Sequence, residues 1–64
     1  MTDREFVLSK VPQARYMNLS TDGDVCHSID DDYNDRYLAH REPSRRAAWK
    51  AAARRIKRET SDER

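Results

Sequence analysis

Arg45, Arg46, Lys50, Arg54, Lys57 and Arg58 recur at spacings of one, three and four near the end of the chain. Cations so spaced along a helix can displace counterions from a nucleic-acid backbone. Arg41 and Arg55 lie in the same stretch, so eight of the thirteen basic residues fall between Arg41 and Arg58. The chemistry on offer is docking onto something acidic, against the plainer alternative of a solvated helix face.

Residues suited to bond making are few. Cys26 beside His27 invites a thiolate and base reading, but neighbours on a strand point to opposite faces. No orienting group or oxyanion site accompanies them. His27, His40 and the aspartates lack the spacing of a metal site, and Asp22-Gly23-Asp24 lacks the distal glutamate of a calcium loop. The sequence predicts no enzyme, no cofactor and no metal.

Negative charge gathers in the middle, at Asp22, Asp24, Asp30, Asp31, Asp32 and Asp35, and no Lys or Arg occurs from Tyr16 through Asp35. The formal net charge of +1 therefore hides a dipolar chain, which bears on association more than on fold. These aspartates are a candidate acidic partner surface. The Asp30 to Asp32 run reads as a solvated loop or as a mimic of phosphate charge. The two charged regions can also attract each other, within one chain or between copies.

Sixty-four residues allow a single domain with a thin core, since a chain of this size buries only about 60% of the surface its unfolded form exposes. With 36% hydrophobic and 39% charged residues the composition borders on disorder. Phe6, Tyr16, Tyr33, Tyr37 and Trp49 oppose that tendency by covering large areas. The single cysteine excludes an intrachain disulfide and suggests a reducing compartment. A charged N-terminal segment and the lack of a long apolar run predict a cytoplasmic protein with no membrane partner.

The elements that position these residues follow from local chemistry. Thr2 and Asp3 can cap a first helix that ends near Lys10, ahead of Pro12, with Phe6, Val7 and Lys10 on one side. Arg15 to Ser20 and Val25 to Ile29 then read as strands joined by Asp22-Gly23, a pair suited to the positive φ of a type I′ turn. In that hairpin Tyr16, Met17 and Leu19 face Val25 and Ile29. Residues 30–40 admit two readings. As a helix, an aspartate caps it and Tyr33 and Tyr37 align. As a sheet element, the acidic run and Asn34-Asp35 form a turn before a strand from Arg36 to Arg41. That strand would place Tyr37 and Ala39 on one side, Leu38 and His40 on the other, and would supply what a lone hairpin lacks. Pro43 and Ser44 open the last helix. Ala48, Trp49, Ala52, Ala53 and Ile56 share its apolar face, and Arg46, Lys50, Arg54, Lys57 and Arg58 its basic one. Trp49 and the tyrosines read as core or edge packing.

The result is an α+β fold, a small αβββα domain over 1–59 with a three-stranded antiparallel sheet, two helices packed on one face, and a frayed polar tail at 60–64. That order, with the text Ser44-Arg45-Arg46-Ala47-Ala48-Trp49-Lys50-Ala51-Ala52-Ala53, resembles the double-stranded RNA-binding domain. The match lies at the serine, the paired cations, the following alanine and the alanine pair. The resemblance implies phosphate contacts from Arg45, Arg46 and Lys50, with Trp49 replacing a family cation and Lys50 displaced by one. It also implies a histidine-containing loop between the first two strands, where this chain has a tight turn flanked by acids. The A-W-x-x-A-A ending is similar to that of small phage proteins, which would place the chain in the host cytoplasm.

The sequence thus predicts a small binding protein whose basic C-terminal helix contacts the backbone of duplex RNA or DNA. Two alternatives stand beside it. One is a phage accessory protein that modulates a host protein through its acidic centre or basic helix. The other is a self-associating structural protein.

Overall fold

The computed structural model describes residues 1–21 and 23–61, with positions 19, 21 and 61 described by their backbone alone. The chain runs α1 (Asp3–Lys10), β1 (Ala14–Thr21), β2 (Asp24–Asp31), β3 (Arg36–Glu42) and α2 (Arg45–Ser61). The strands form one antiparallel sheet in the order β1-β2-β3. The helices pack on one face of this sheet, as the α+β reading anticipates, with α2 against β3, β2 and α1.

A capping box starts α1. Thr2 Oγ1 accepts from the Glu5 amide at 3.1 Å while Glu5 Oε1 accepts from the Thr2 amide at 3.2 Å, which satisfies free N–H groups from both directions. These bonds hold the Glu5 carboxyl below its ordinary pKa. Val7 is the residue of α1 that is fully buried, with Phe6 and Leu8 packed at its flanks, and Lys10 at the end of the helix is exposed.

Between β1 and β2 the register is unbroken from Ala14↔Asp31 to Thr21↔Asp24. Asp22, and with it the predicted turn type, lies outside the described residues. Gly23 sits at φ 84° with nothing within 4 Å of a would-be Cβ. Gly23→Ala therefore meets no clash and pays only the backbone cost of a left-handed conformation, about 1 kcal/mol. Thermal unfolding should register this as a modest loss with unchanged secondary structure.

The strand reading of residues 36–41 holds, but its sidedness does not. Pairing of β2 with β3 runs Asp31↔Arg36 and Asp30↔Tyr37, then shifts to Ile29↔Ala39 and again to His27↔Glu42. The first shift leaves Leu38 as an extra residue, so Leu38 and Ala39 are both buried instead of alternating. The second falls around Arg41, at φ 57°.

The core joins Val7, Ile29, Leu38, Trp49 and Ile56 with Ala14, Ala39, Ala48, Ala52 and Ala53. The small alanines of α2 let its axis approach the sheet while Trp49 and Ile56 fill the remaining depth. Ser44 caps α2, its Oγ accepting from the Ala47 amide at 3.1 Å. The helix continues to Ser61, past the predicted start of a tail, with Thr60 Oγ1 donating to the Ile56 carbonyl. Tyr33, placed by the sequence reading in core or edge packing, is instead 85% exposed in the β2–β3 turn.

Candidate nucleic-acid interface

The apolar side of α2 fixes where its cations go. With Trp49, Ala52, Ala53 and Ile56 turned inward, Arg46, Lys50, Arg54 and Lys57 form an exposed ridge. A rise of about 1.5 Å per residue spreads that ridge over roughly 16 Å. Lys57 also lies over the Phe6 ring, 5.1 Å from its centroid.

Two predicted members depart from the ridge. Arg58 lines the groove between α2 and β3, beside Glu59, His40 and Tyr37. Arg45 opens the helix on its sheet side, where its guanidinium lies 5.0 Å from the Tyr16 ring centroid. Tyr16 in turn stacks on His27, with centroids 5.8 Å apart, and its hydroxyl is hydrogen-bonded to His27 Nδ1. Text that resembles a phosphate-binding pair thus splits into one ridge residue and one residue packed on an aromatic ring.

The negative charges are distributed otherwise than the sequence reading supposed. Asp30 and Asp31 belong to β2, not to a loop. Asp31 has 0% exposure, so it leaves the candidate acidic surface altogether. Its Oδ1 accepts from Gln13 Nε2 at 2.9 Å, and its Oδ2 accepts from Asn34 Nδ2 at 2.8 Å and Arg36 Nε at 3.4 Å. Burial alone would raise its pKa. The bonds from the Asn34 side chain, Gln13, the Asn34 amide and Arg36 outweigh burial and hold the carboxyl below the usual aspartate value.

Asp30 keeps only 18% of its side chain exposed and pairs with Arg15 at 3.4 Å, while exposed Asp32 pairs with the same arginine at 3.6 Å. Asp24 and Asp35 are exposed, and Asp22 lies outside the described residues. Asp24 opens β2 whereas Asp32 and Asp35 follow its end, a separation of roughly 25 Å at the rise of a strand. The predicted acidic partner surface is therefore not one patch.

The ion pairs among the described residues explain why the ridge keeps its charge. They join Arg15 to Asp30 and Asp32, Arg36 to Asp31 and Glu59, and Arg55 to Glu59. None involves Arg45, Arg46, Lys50, Arg54, Lys57 or Arg58. Arg36 binds Glu59 through both Nη atoms, at 2.7 and 3.2 Å; hydrogen bonding to Glu59, with the lesser help of Asp31, raises the arginine's pKa against the opposing effect of burial. Arg36 in turn holds the Glu59 carboxyl below its usual range. Asp3 and Glu42 border the ridge, the first beside Lys50, Arg54 and Lys57, the second beside Lys50 and Arg54, but neither is paired with them.

The other candidate chemistry is dispersed. Cys26 is half-buried, and the strand turns it away from His27, whose ring is engaged by Tyr16. Ser28 Oγ lies 3.4 Å from His40 Nδ1 but is fully buried. Among the described residues no cluster of three or more His, Cys, Asp or Glu side chains is placed to hold a metal ion. No helix among them is long and apolar enough to cross a membrane. The chain matches no family model, no curated protein and no solved structure.

Proposed function

We propose that this chain is a small non-enzymatic binding protein whose α2 ridge contacts the phosphate backbone of duplex RNA or DNA. The carrying observation is that Arg46, Lys50, Arg54 and Lys57 are exposed together and outside the ion-pair network that consumes Asp30, Asp31, Asp32 and Glu59. A second observation points to an anion. The first turn of α2 holds no acidic residue and begins with two arginines, where the helix dipole disfavours cations unless an anion lies near.

The expectation drawn from the double-stranded RNA-binding domain supports this reading through the order of elements and the position of the basic helix. With a two-residue connection between β1 and β2, binding rests on the helix and reads backbone rather than base edges. Affinity is then micromolar or weaker at physiological salt, as for sequence-independent contacts of about 10⁻⁴ to 10⁻⁶ M.

Fluorescence anisotropy with labelled duplex RNA and duplex DNA over a salt series tests the proposal. Four phosphate contacts predict a slope of log K against log salt of about −3 to −4, with little dependence on sequence. Undetectable binding at low salt, or binding indifferent to salt, rejects it.

A further inference from the structure

The two edges of the sheet are not equivalent. β3 is a poor template for another strand, because its pairing slips twice, Arg41 adopts φ 57°, and Arg55 Nη1 already donates to the Tyr37 carbonyl at 3.0 Å. Protein edges are ordinarily blunted by such bulges, by lysines and prolines, or by a covering element. β1 has few of these. Its register with β2 is continuous, no strand among the described residues lies on its far side, and it carries no charged residue after Arg15. Arg15 stands near the start of the strand, its side chain 63% exposed and shared between Asp30 and Asp32 at 3.4 and 3.6 Å.

One bond shows which backbone groups of β1 point outward. The Ala14 amide donates to the Val11 carbonyl at 3.0 Å rather than into the sheet. Successive residues of an antiparallel strand alternate in the direction of their N–H and C=O groups. Those of Tyr16, Asn18 and Ser20 therefore face away from β2.

We infer that this edge takes β1 of a second copy of the chain, running antiparallel about a two-fold axis at Asn18. An antiparallel edge is its own complement under such an axis. Donors meet acceptors only when even-numbered positions stand opposite even-numbered ones, and among such registers those centred on Met17 and on Asn18 pair the greatest length of the strand. Charge selects the second. It sets Arg15 opposite Thr21 of the second copy, whose neighbour across the hairpin is the exposed Asp24. Centring on Met17 sets Arg15 opposite position 19, whose neighbour is the uncharged Cys26.

The product is a continuous six-stranded sheet with both α2 helices on one face. Both ridges then address the same side of the dimer, which raises avidity for an extended anion. The dimer itself does not depend on the nucleic-acid reading, and its test uses none.

Sedimentation equilibrium of the full chain from about 10 µM to about 1 mM should show the mass rising from 7.6 kDa toward twice that value. Amide exchange at Tyr16, Asn18 and Ser20 should slow with concentration, while exchange along β3 does not. Asn18→Pro removes a donor that the monomer does not use in its sheet, so it keeps the circular dichroism spectrum and loses the dimer. Asn18→Lys, which sets like charges opposite each other across the axis, also stays monomeric. A wild-type mass fixed at 7.6 kDa throughout overturns the inference. So does concentration-dependent protection on β3 instead of β1, or a dimer that survives Asn18→Lys.

Discussion

Asp31→Ala should bring the protein close to unfolding at room temperature. The substitution removes a fully buried carboxylate and strands the donors of Gln13, Asn34 and Arg36 that converge on it. Arg36 keeps Glu59, so the loss is that of the carboxylate's hydrogen bonds, chiefly those from Gln13 and Asn34, at about 1.5 to 3 kcal/mol for each bond to a charged group. A chain of this length has only roughly 3 to 10 kcal/mol to lose. Urea denaturation at neutral pH should show the midpoint collapse. Asp31→Asn, which keeps the shape and one acceptor, should lose less, about 1 to 3 kcal/mol. An alanine variant as stable as wild type would mean that the cluster contributes nothing net.

The same carboxylate sets a pH dependence. Its folded pKa lies below the ordinary aspartate value, so the folded state binds its proton less readily than the unfolded chain does. Its stabilisation is present in full above the unfolded pKa, near 4, and is lost as pH falls through the lower, folded value. The wild type should weaken on acidification below about pH 4. Asp31→Asn should weaken less over that interval, retaining the smaller acid response of Glu59, whose carboxyl is also held low by Arg36.

That cluster was largely hidden in the sequence, for a physical reason. Three consecutive aspartates read as a solvated loop, because a run of like charges seldom enters a core. What buries Asp31 is non-local. Ala14 stands opposite it on β1, and Gln13 reaches it from 18 positions away. Only Asn34, three residues on, was a local cue for a side chain capping a turn. The sidedness of β3 failed similarly, because period-two reasoning assumes no extra residues. The adjacent apolar pair Leu38-Ala39 was the one hint of a bulge.

Where the determinants were local, the reading succeeded. Thr2 marked the start of α1, Gly23 fixed the hairpin, and the alanines with Trp49 and Ile56 oriented α2. That orientation made the ridge legible in advance, although Arg45 turned to Tyr16. Angular position on a helix is readable only from the residues it must bury; a first-turn side chain is decided by what stands next to it.

Replacing Arg46, Lys50, Arg54 and Lys57 together with glutamine should abolish duplex binding without disturbing the fold. All four side chains are exposed, glutamine is a comparable helix former, and surface substitutions of this kind usually move stability by within about 0.5 kcal/mol each. Each cation lost should flatten the salt slope by about one unit. The quadruple variant should thus approach zero slope, with affinity at low salt down on the order of a hundredfold or more. Lys10→Gln, an exposed cation at the end of α1, removes one charge from a different element. A small effect there beside a large one on α2 separates a defined contact from attraction to net charge. Equal losses per charge at both places would leave the ridge without a special role. Retained duplex binding by the quadruple variant would move the contact off α2 altogether.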